Sequence, residues 1–264
     1  MITAANIAGT YALVTGASSG IGRAICTALA AHGAKVLLVG RHAERTVSAR
    51  DELTAHTVHA AHNVHAAHDA PAAQTNSSVN HHAVCGDLTS TAFIAALAAQ
   101  ALEWSRGQLG ILVHCAGQHE PARIEQTSVA SFDAAIATNL RAPFLLTAAL
   151  LPALRSNHGH VVLVNSSVVM NPRAGTSAYA ASKAGLRMFA DCLRAEVSGE
   201  GIRVLSIFPG RTATPMQRER YEGEGQAYRP ERLLQPQDVA KEVLNAICAR
   251  AEVTELHLRP LYKD

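Results

Sequence analysis

The chain has 264 residues, 48% hydrophobic and 17% charged, enough apolar material for one sizeable α/β domain rather than two small ones. A formal charge of +2, with lysine and arginine scattered and no basic run interleaved with aromatics, argues against a nucleic-acid partner. Cys26, Cys85, Cys115, Cys192 and Cys248 are odd in number and form no C-x-x-C pair, which points to reduced thiols in a cytoplasmic protein.

The opening stretch MITAANIAGTYALVTG has neither the basic nor the long apolar region of a signal peptide. The first strand is expected at YALVTG (11–16), and the loop TGASSGIGRA (15–24) then opens a helix over about 20–32. Gly16, Gly20 and Gly22 permit a sharp turn there and let a pyrophosphate approach the helix N-terminus, where free N–H groups and the dipole favour negative charge. A plain tight turn is the alternative, but a strand before and a helix after favour the nucleotide reading. The second strand, KVLLVG (35–40), ends at Gly40 and is followed by Arg41. A chain that prefers NAD usually carries a carboxylate at this strand end for the ribose hydroxyls. A guanidinium suits a 2′-phosphate instead, so NADP(H) is expected over NAD(H).

After a helix over about 42–55 the rhythm breaks. From Arg41 to Asp87 there are 45 intervening residues, where a loop, an average helix, a second loop and a strand need roughly 25. The surplus holds HTVHAAHNVHAAHDA (56–70), with His56, His59, His62, His65 and His68 at every third position, and then the polar APAAQTNSSVN (70–80). On a helix each three-residue step falls back about 60°, so five histidines sweep about 240° and cannot share a face. A zinc site needs three or four converging ligands, and His81 and His82 could add theirs only from across a loop. No metal site is assigned. The stretch is read as an exposed helix extension and polar loop, an insertion at about 56–80 that hydride transfer does not require.

The remaining strands are expected at HAVCGD (82–87), GILVHCAG (110–117), GHVVLVNSS (159–167), IRVLSIFPG (202–210) and VTELHLRP (253–260), with helices at about 89–104, 131–156, 176–198 and 236–249. The strand runs are continuously apolar, as in a parallel sheet covered on both faces. Alternating strand and helix implies a doubly wound parallel sheet of about seven strands, a Rossmann fold in one domain. The longest apolar stretch, APFLLTAALLPAL (142–154), is too short to cross a bilayer and contains Pro152. In AYAASKAG (178–185), Tyr179 and Lys183 stand one helical turn apart on one face. A neighbouring cation lowers a phenol's pKa from about 10, so that it can deliver or take a proton near neutrality.

The spacing T-G-x-x-x-G-x-G together with Y-x-x-x-K resembles the short-chain dehydrogenase/reductase family, and the likeness runs across nearly the whole chain. It implies that Gly16, Ser18, Ser19, Gly20, Ile21, Gly22, Arg41, Asp87, Leu88, Ala116, Gly117, Pro209, Gly210 and Thr214 bind the dinucleotide together with Tyr179 and Lys183. Asp87 would meet the adenine, Ala116 and Gly117 the ribose, and Thr214 the carboxamide. HCAG (114–117) departs from the family's N-N-A-G at His114 and Cys115, the latter read as a small buried packing residue. Counting along the strand from Gly159, and 13 back from Tyr179, the catalytic serine falls on Ser166, with Ser167 as the alternative. Asn139 in ATNLRAPF (137–144), locally unfavourable inside a helix, is the fourth member and in the family holds a water linking Lys183 to solvent.

The implied activity is NADP(H)-dependent interconversion of a small carbonyl compound and a secondary alcohol. Ser166 and Tyr179 hold the carbonyl oxygen, Tyr179 delivers the proton, and Lys183 lowers the tyrosine pKa and binds ribose hydroxyls. The family also implies a homodimer or homotetramer through the helices at 131–156 and 176–198. Substrate contacts are expected from 118–122, from 167–178 and from a lid at about 215–235, whose Arg218, Glu219, Arg220, Glu222, Glu224 and Arg229 read as a solvated face. Two other classes stand beside the enzyme: a non-enzymatic dinucleotide sensor on the same fold, and a metal protein that uses the histidines. A turnover screen separates the first from the enzyme, and metal analysis of untagged protein tests the second.

Overall fold

The aliphatic runs become seven strands in the computed structural model, which describes residues 7–65 and 81–261, the side chains of 58–65 excepted. They are β1 (Tyr11–Thr15), β2 (Lys35–Gly40), β3 (His82–Cys85), β4 (Leu109–His114), β5 (His160–Val164), β6 (Arg203–Pro209) and β7 (Glu255–Leu258). All pair in parallel in the order β3-β2-β1-β4-β5-β6-β7. The order reverses between β1 and β4, and a doubly wound sheet opens its crevice there, above the carboxyl ends. The helices are α1 (Gly20–Ala31), α2 (Ala43–His65), α3 (Thr91–Ser105), α4 (Val129–Ile136), α5 (Ala142–Ser156), α6 (Ser177–Glu196), α7 (Pro215–Gly223) and α8 (Pro236–Cys248).

Successive strand residues face opposite ways, and both faces are covered. Val14, Leu38 and Ile111 pack under α1, α2 and α8 through Ile25, Leu29, Leu53, Val243 and Ile247. Leu13, Leu37, Leu112 and Leu163 pack under α3, α5 and α6 through Leu97, Leu146, Leu150 and Leu186. The single-domain Rossmann expectation holds.

Two boundaries differ from expectation. The helix expected over 131–156 is a run from Val129 to Ser156, interrupted by a π-turn at Ala137–Arg141 that carries Asn139. That run is 28 residues long and by length and composition could cross a membrane, unlike the shorter 142–154 segment. Its Leu146, Leu150 and Leu154 are buried in the core beneath the sheet. The lid segment begins as a helix, α7, because Thr214 Oγ1 accepts from Gln217 N at 3.3 Å and Pro215 fits the first turn.

α2 runs to His65, past the helix expected over 42–55, so the first part of the Ala/His repeat is the expected helix extension, containing no helix breaker. His56 on it is exposed, whereas the side chains of His59, His62 and His65, and all of 66–80 including His68, lie outside the described residues. His81, considered as a ligand, has both ring nitrogens engaged inside the fold. Its Nδ1 accepts from Val36 N at 3.1 Å, and its Nε2 meets Thr57 Oγ1 at 3.2 Å. Thr57 Oγ1 already donates to Leu53 O at 2.5 Å, so the Nε2–H is the donor. A buried imidazole thereby ties β2 to α2, and burial holds its pKa down to about 4.

Candidate active site

Above the carboxyl ends, the β1–α1 loop is shaped by close backbone approaches. Gly16 has φ +67°, and a Cβ there would lie 2.7 Å from Ala116 N. A Cβ on Gly22 would lie 2.3 Å from Gly16 O. Only glycine fits either position. Thr15 Oγ1 accepts from Cys115 N at 3.1 Å and Ala116 N at 3.2 Å, locking this loop to the end of β4. Ser19 precedes α1 in extended conformation without capping it through its side chain, and no acidic residue stands in the first turn. The first N–H groups of α1 therefore face the crevice with no side-chain partner, a cradle suited to a diphosphate. Ser18 lies against Gly40, and Thr214, beyond β6, comes within 3.0 Å of where a Gly20 Cβ would stand. Gly210 N donates to Leu258 O at 2.8 Å, which fixes the turn between Pro209 and Thr214.

Farther along the edge, a Cβ at Gly40 would lie 2.2 Å from Thr46 Oγ1, so a carboxylate cannot be placed there without moving a buried threonine. Arg41 is exposed and within electrostatic reach of Asp87. The Thr89 N–H, donating at 2.9 Å, and then the Thr89 hydroxyl hold the Asp87 carboxyl below the usual range. Leu88 and Ala116 line one crevice with His114. His114 is buried, and its Nε2 lies 2.8 Å from Thr147 Oγ1 on α5. That contact bonds the end of β4 to α5, and burial drives the imidazole pKa to about 3.

The tetrad residues come together around α6. Asn139 is fully buried; its Oδ1 accepts from Gln118 N at 2.8 Å, and its Nδ2 donates to Gln118 O at 2.9 Å and Ser182 Oγ at 2.9 Å. Ser182 Oγ donates in turn to Tyr179 O at 2.7 Å. Asn165 bridges the next pair: its Oδ1 accepts from Ser166 N at 2.9 Å and its Nδ2 donates to Lys183 O at 3.1 Å. Ser166 Oγ accepts from Val168 N at 3.2 Å and stands near enough to the Tyr179 hydroxyl to favour its ionised form. Ser167 begins a 3-10 turn (Ser167–Val169) and has no such contact. Lys183 is buried, donates from Nζ to Val164 O at 2.8 Å, and lies 5.9 Å from the Tyr179 ring centroid.

The electrostatics depart from the expectation that Lys183 lowers the Tyr179 pKa. Burial pushes the phenol above its usual value; the Ser166 hydrogen bond opposes this, Cys115 adds to it, and Arg220 is the cation whose field opposes it. Lys183 is itself desolvated, with its pKa pulled down to about 8. The result is a phenol that stays protonated at neutral pH, the form a general acid needs. Cys115 beside Lys183 is raised to about 12 by burial and remains a thiol.

Four participants escaped the reading of the sequence. Thr15 sits inside the quoted T-G motif. Asn165 and Ser182 neighbour the catalytic serine and lysine, but only the fold shows what they bridge. Arg220 belongs to the segment read as a solvated face; it pairs with Glu224 at 2.7 Å and its field reaches Tyr179.

A family model described as short chain dehydrogenase matches residues 10–69 and 55–225. The chain is 30% identical to Dehydrogenase/reductase SDR family member 7B of Danio rerio, over 97% of this chain and 83% of that protein. It superposes on a metagenomic short-chain oxidoreductase in complex with NADP at a TM-score of 0.76 and 28% identity, covering 97% of this chain and 99% of that one. A 3-ketoacyl-(acyl-carrier-protein) reductase from Brucella melitensis complexed with NADH gives a TM-score of 0.76 at 25% identity, covering 96% and 97%.

Proposed function

The chain belongs to the short-chain dehydrogenase family of oxidoreductases, and from that premise we propose that it interconverts a small carbonyl compound and a secondary alcohol with NADP(H) as the preferred cofactor. The observation that carries the reading is the placement of the buried Tyr179 phenol beside Ser166, with Lys183 one turn along the same helix and 5.9 Å from its ring centroid. Solved relatives hold NADP or NADH, and the glycine cradle at the uncapped start of α1 fits such a diphosphate. Gly16, Ser18, Ser19, Gly20, Ile21 and Gly22 would hold the phosphates, and Asp87, Leu88, Ala116, Gly117, Pro209, Gly210 and Thr214 the bases and sugars. The cofactor, when bound, supplies or accepts the hydride.

The chain's own groups supply position and protons. Ser166 donates a hydrogen bond to the substrate carbonyl oxygen and stabilises the charge developing on it. Tyr179 transfers its hydroxyl proton to that oxygen. Lys183 would hold the cofactor ribose hydroxyls from its buried ammonium, and Asn139 fixes the backbone on which both loop and helix depend. α7 and the residues after it, to about 235, cover the substrate. A second copy of the chain would pack on α5 and α6, where Phe144 and Met188 are 53% and 61% exposed. All five cysteines are free, which suits a cytoplasmic enzyme.

Arg41 carries the cofactor preference, as no carboxylate fits at Gly40. Steady-state rates with NADPH and NADH over a panel of aldehydes, ketones and secondary alcohols test both parts of the proposal. We expect a higher kcat/KM with NADPH, and a ratio that falls about tenfold or more in Arg41→Ala through loss of a charge-assisted hydrogen bond. Higher efficiency with NADH would refute the preference. Dinucleotide binding without turnover of any panel member would favour the sensor instead.

A further inference from the structure

His119 has no place in the reaction just described, yet its ring lies against the proposed acid. The imidazole and the Tyr179 phenol meet edge to face, with centroids 4.6 Å apart and planes at 62°. Such contacts fix ring orientation. The loop carrying His119 is pinned at three points. Asn139 clamps both the N–H and the carbonyl of Gln118, Glu120 Oε2 accepts from Ser131 Oγ at 2.8 Å, and Ala122 N donates to Gly175 O at 3.1 Å. The ring is thus preorganised relative to Tyr179 rather than resting there by chance.

Its Nε2 is sealed from solvent and has no hydrogen-bond partner among the described residues. The same is true of Trp104 Nε1, His160 Nε2 and Ser206 Oγ, but His119 is the one in ring contact with Tyr179. A buried polar atom without a partner costs free energy, and at a reacting centre the group that satisfies it is the substrate. Burial and the Arg220 field keep the imidazole neutral, so that Nε2 forms a directional hydrogen bond rather than a salt bridge.

Resting on the carbonyl-reductase reading above, we infer that His119 binds substrate: its Nε2 hydrogen-bonds a second polar atom next to the reacting carbonyl, so the preferred substrates are carbonyl compounds with an adjacent oxygen function. Ser166 and Tyr179 hold one oxygen and His119 the other. The substrate is held at two points, and simple monoketones forgo one of them.

Initial rates with NADPH on 2,3-pentanedione and on 2-pentanone, in wild type, His119→Phe and His119→Gln, test this. The phenylalanine keeps an aromatic ring on Tyr179 while removing the nitrogens. We expect its kcat/KM for the diketone to fall about tenfold, chiefly through KM, with 2-pentanone changed less than twofold. Glutamine, which restores a hydrogen-bonding group, should recover most of the loss. Equal effects on both ketones, whether large or absent, would show that the ring only packs on Tyr179 and would overturn the inference while leaving the reductase reading intact. A wild-type protein that reduces neither ketone with either nicotinamide would overturn both.

Discussion

Replacing Tyr179 by phenylalanine is expected to abolish carbonyl reduction while leaving NADPH binding within a few-fold of wild type. The ring would remain against His119 and near Lys183, so packing is kept and only the hydroxyl is lost. In the proposed reaction that hydroxyl is the proton donor and one of two hydrogen-bond donors to the carbonyl oxygen. Positioned proton transfer contributes on the order of 10²–10⁴ in rate, so kcat/KM should drop by about that factor. The pH profile of the wild type follows from the same groups. The phenol, raised by burial, stays protonated through neutrality, whereas Lys183 loses its proton around pH 8. Reduction should hold steady at neutral pH and decline above about 8 as the Lys183 ammonium proposed to hold the cofactor ribose loses its charge. Stopped-flow binding and steady-state rates on the variant check the first part, and a pH series on the wild type checks the second. Turnover of Tyr179→Phe within about twofold of wild type would remove the tyrosine from the mechanism.

The second large effect concerns stability in acid. His81, His114 and His160 are each less than 5% exposed, and burial lowers their pKa to about 4, 3 and 4. In the unfolded chain each titrates near 6.5. Below that value the unfolded state takes up protons that the folded state refuses, so stability falls as pH falls through the window from about 6.5 to 4. Each group contributes a slope of about 1.4 kcal/mol per pH unit, and three together about 4. Against a typical stability of 5–15 kcal/mol, the fold should be lost cooperatively before about pH 4. Urea midpoints at pH 7, 6 and 5 measure the slope. His160→Leu removes a titrating group whose Nε2 has no partner among the described residues and should lessen the slope by about a third. A midpoint independent of pH over this range would contradict the account.

Most of the fold was legible because buried parallel strands write themselves as continuous apolar runs; six of the seven fell inside a segment expected as a strand, and β4 begins one residue before its segment, at Leu109. The glycine loop and the Tyr179–Lys183 spacing were legible for a related reason: both are local, and their geometry follows from one turn of backbone. What local sequence did not carry was long-range. Nothing near His119 in the chain announces a ring 60 residues away, and His81 looked like a spare ligand until Val36 and Thr57 were seen to use both its nitrogens. The π-turn at Asn139 is of the same kind. Its side chain is held by Gln118 and Ser182, and that tertiary pull, rather than helix propensity, accommodates an asparagine there. α7 was hidden by composition, since six charged residues between 218 and 229 outweighed the Thr-Pro start signal at 214 and 215.

The central claim is that this chain moves a hydride between a nicotinamide and a carbonyl carbon, with Tyr179 handling the proton. Reduction of 2,3-pentanedione with NADPH deuterated at the transferable C4 position, followed by mass analysis of the alcohol, tests it most directly. The account predicts one deuterium on the carbinol carbon for each NADPH consumed, and no labelled alcohol from Tyr179→Phe on the same time scale. Tight NADPH binding by the wild type with no deuterium delivered to any carbonyl would contradict it.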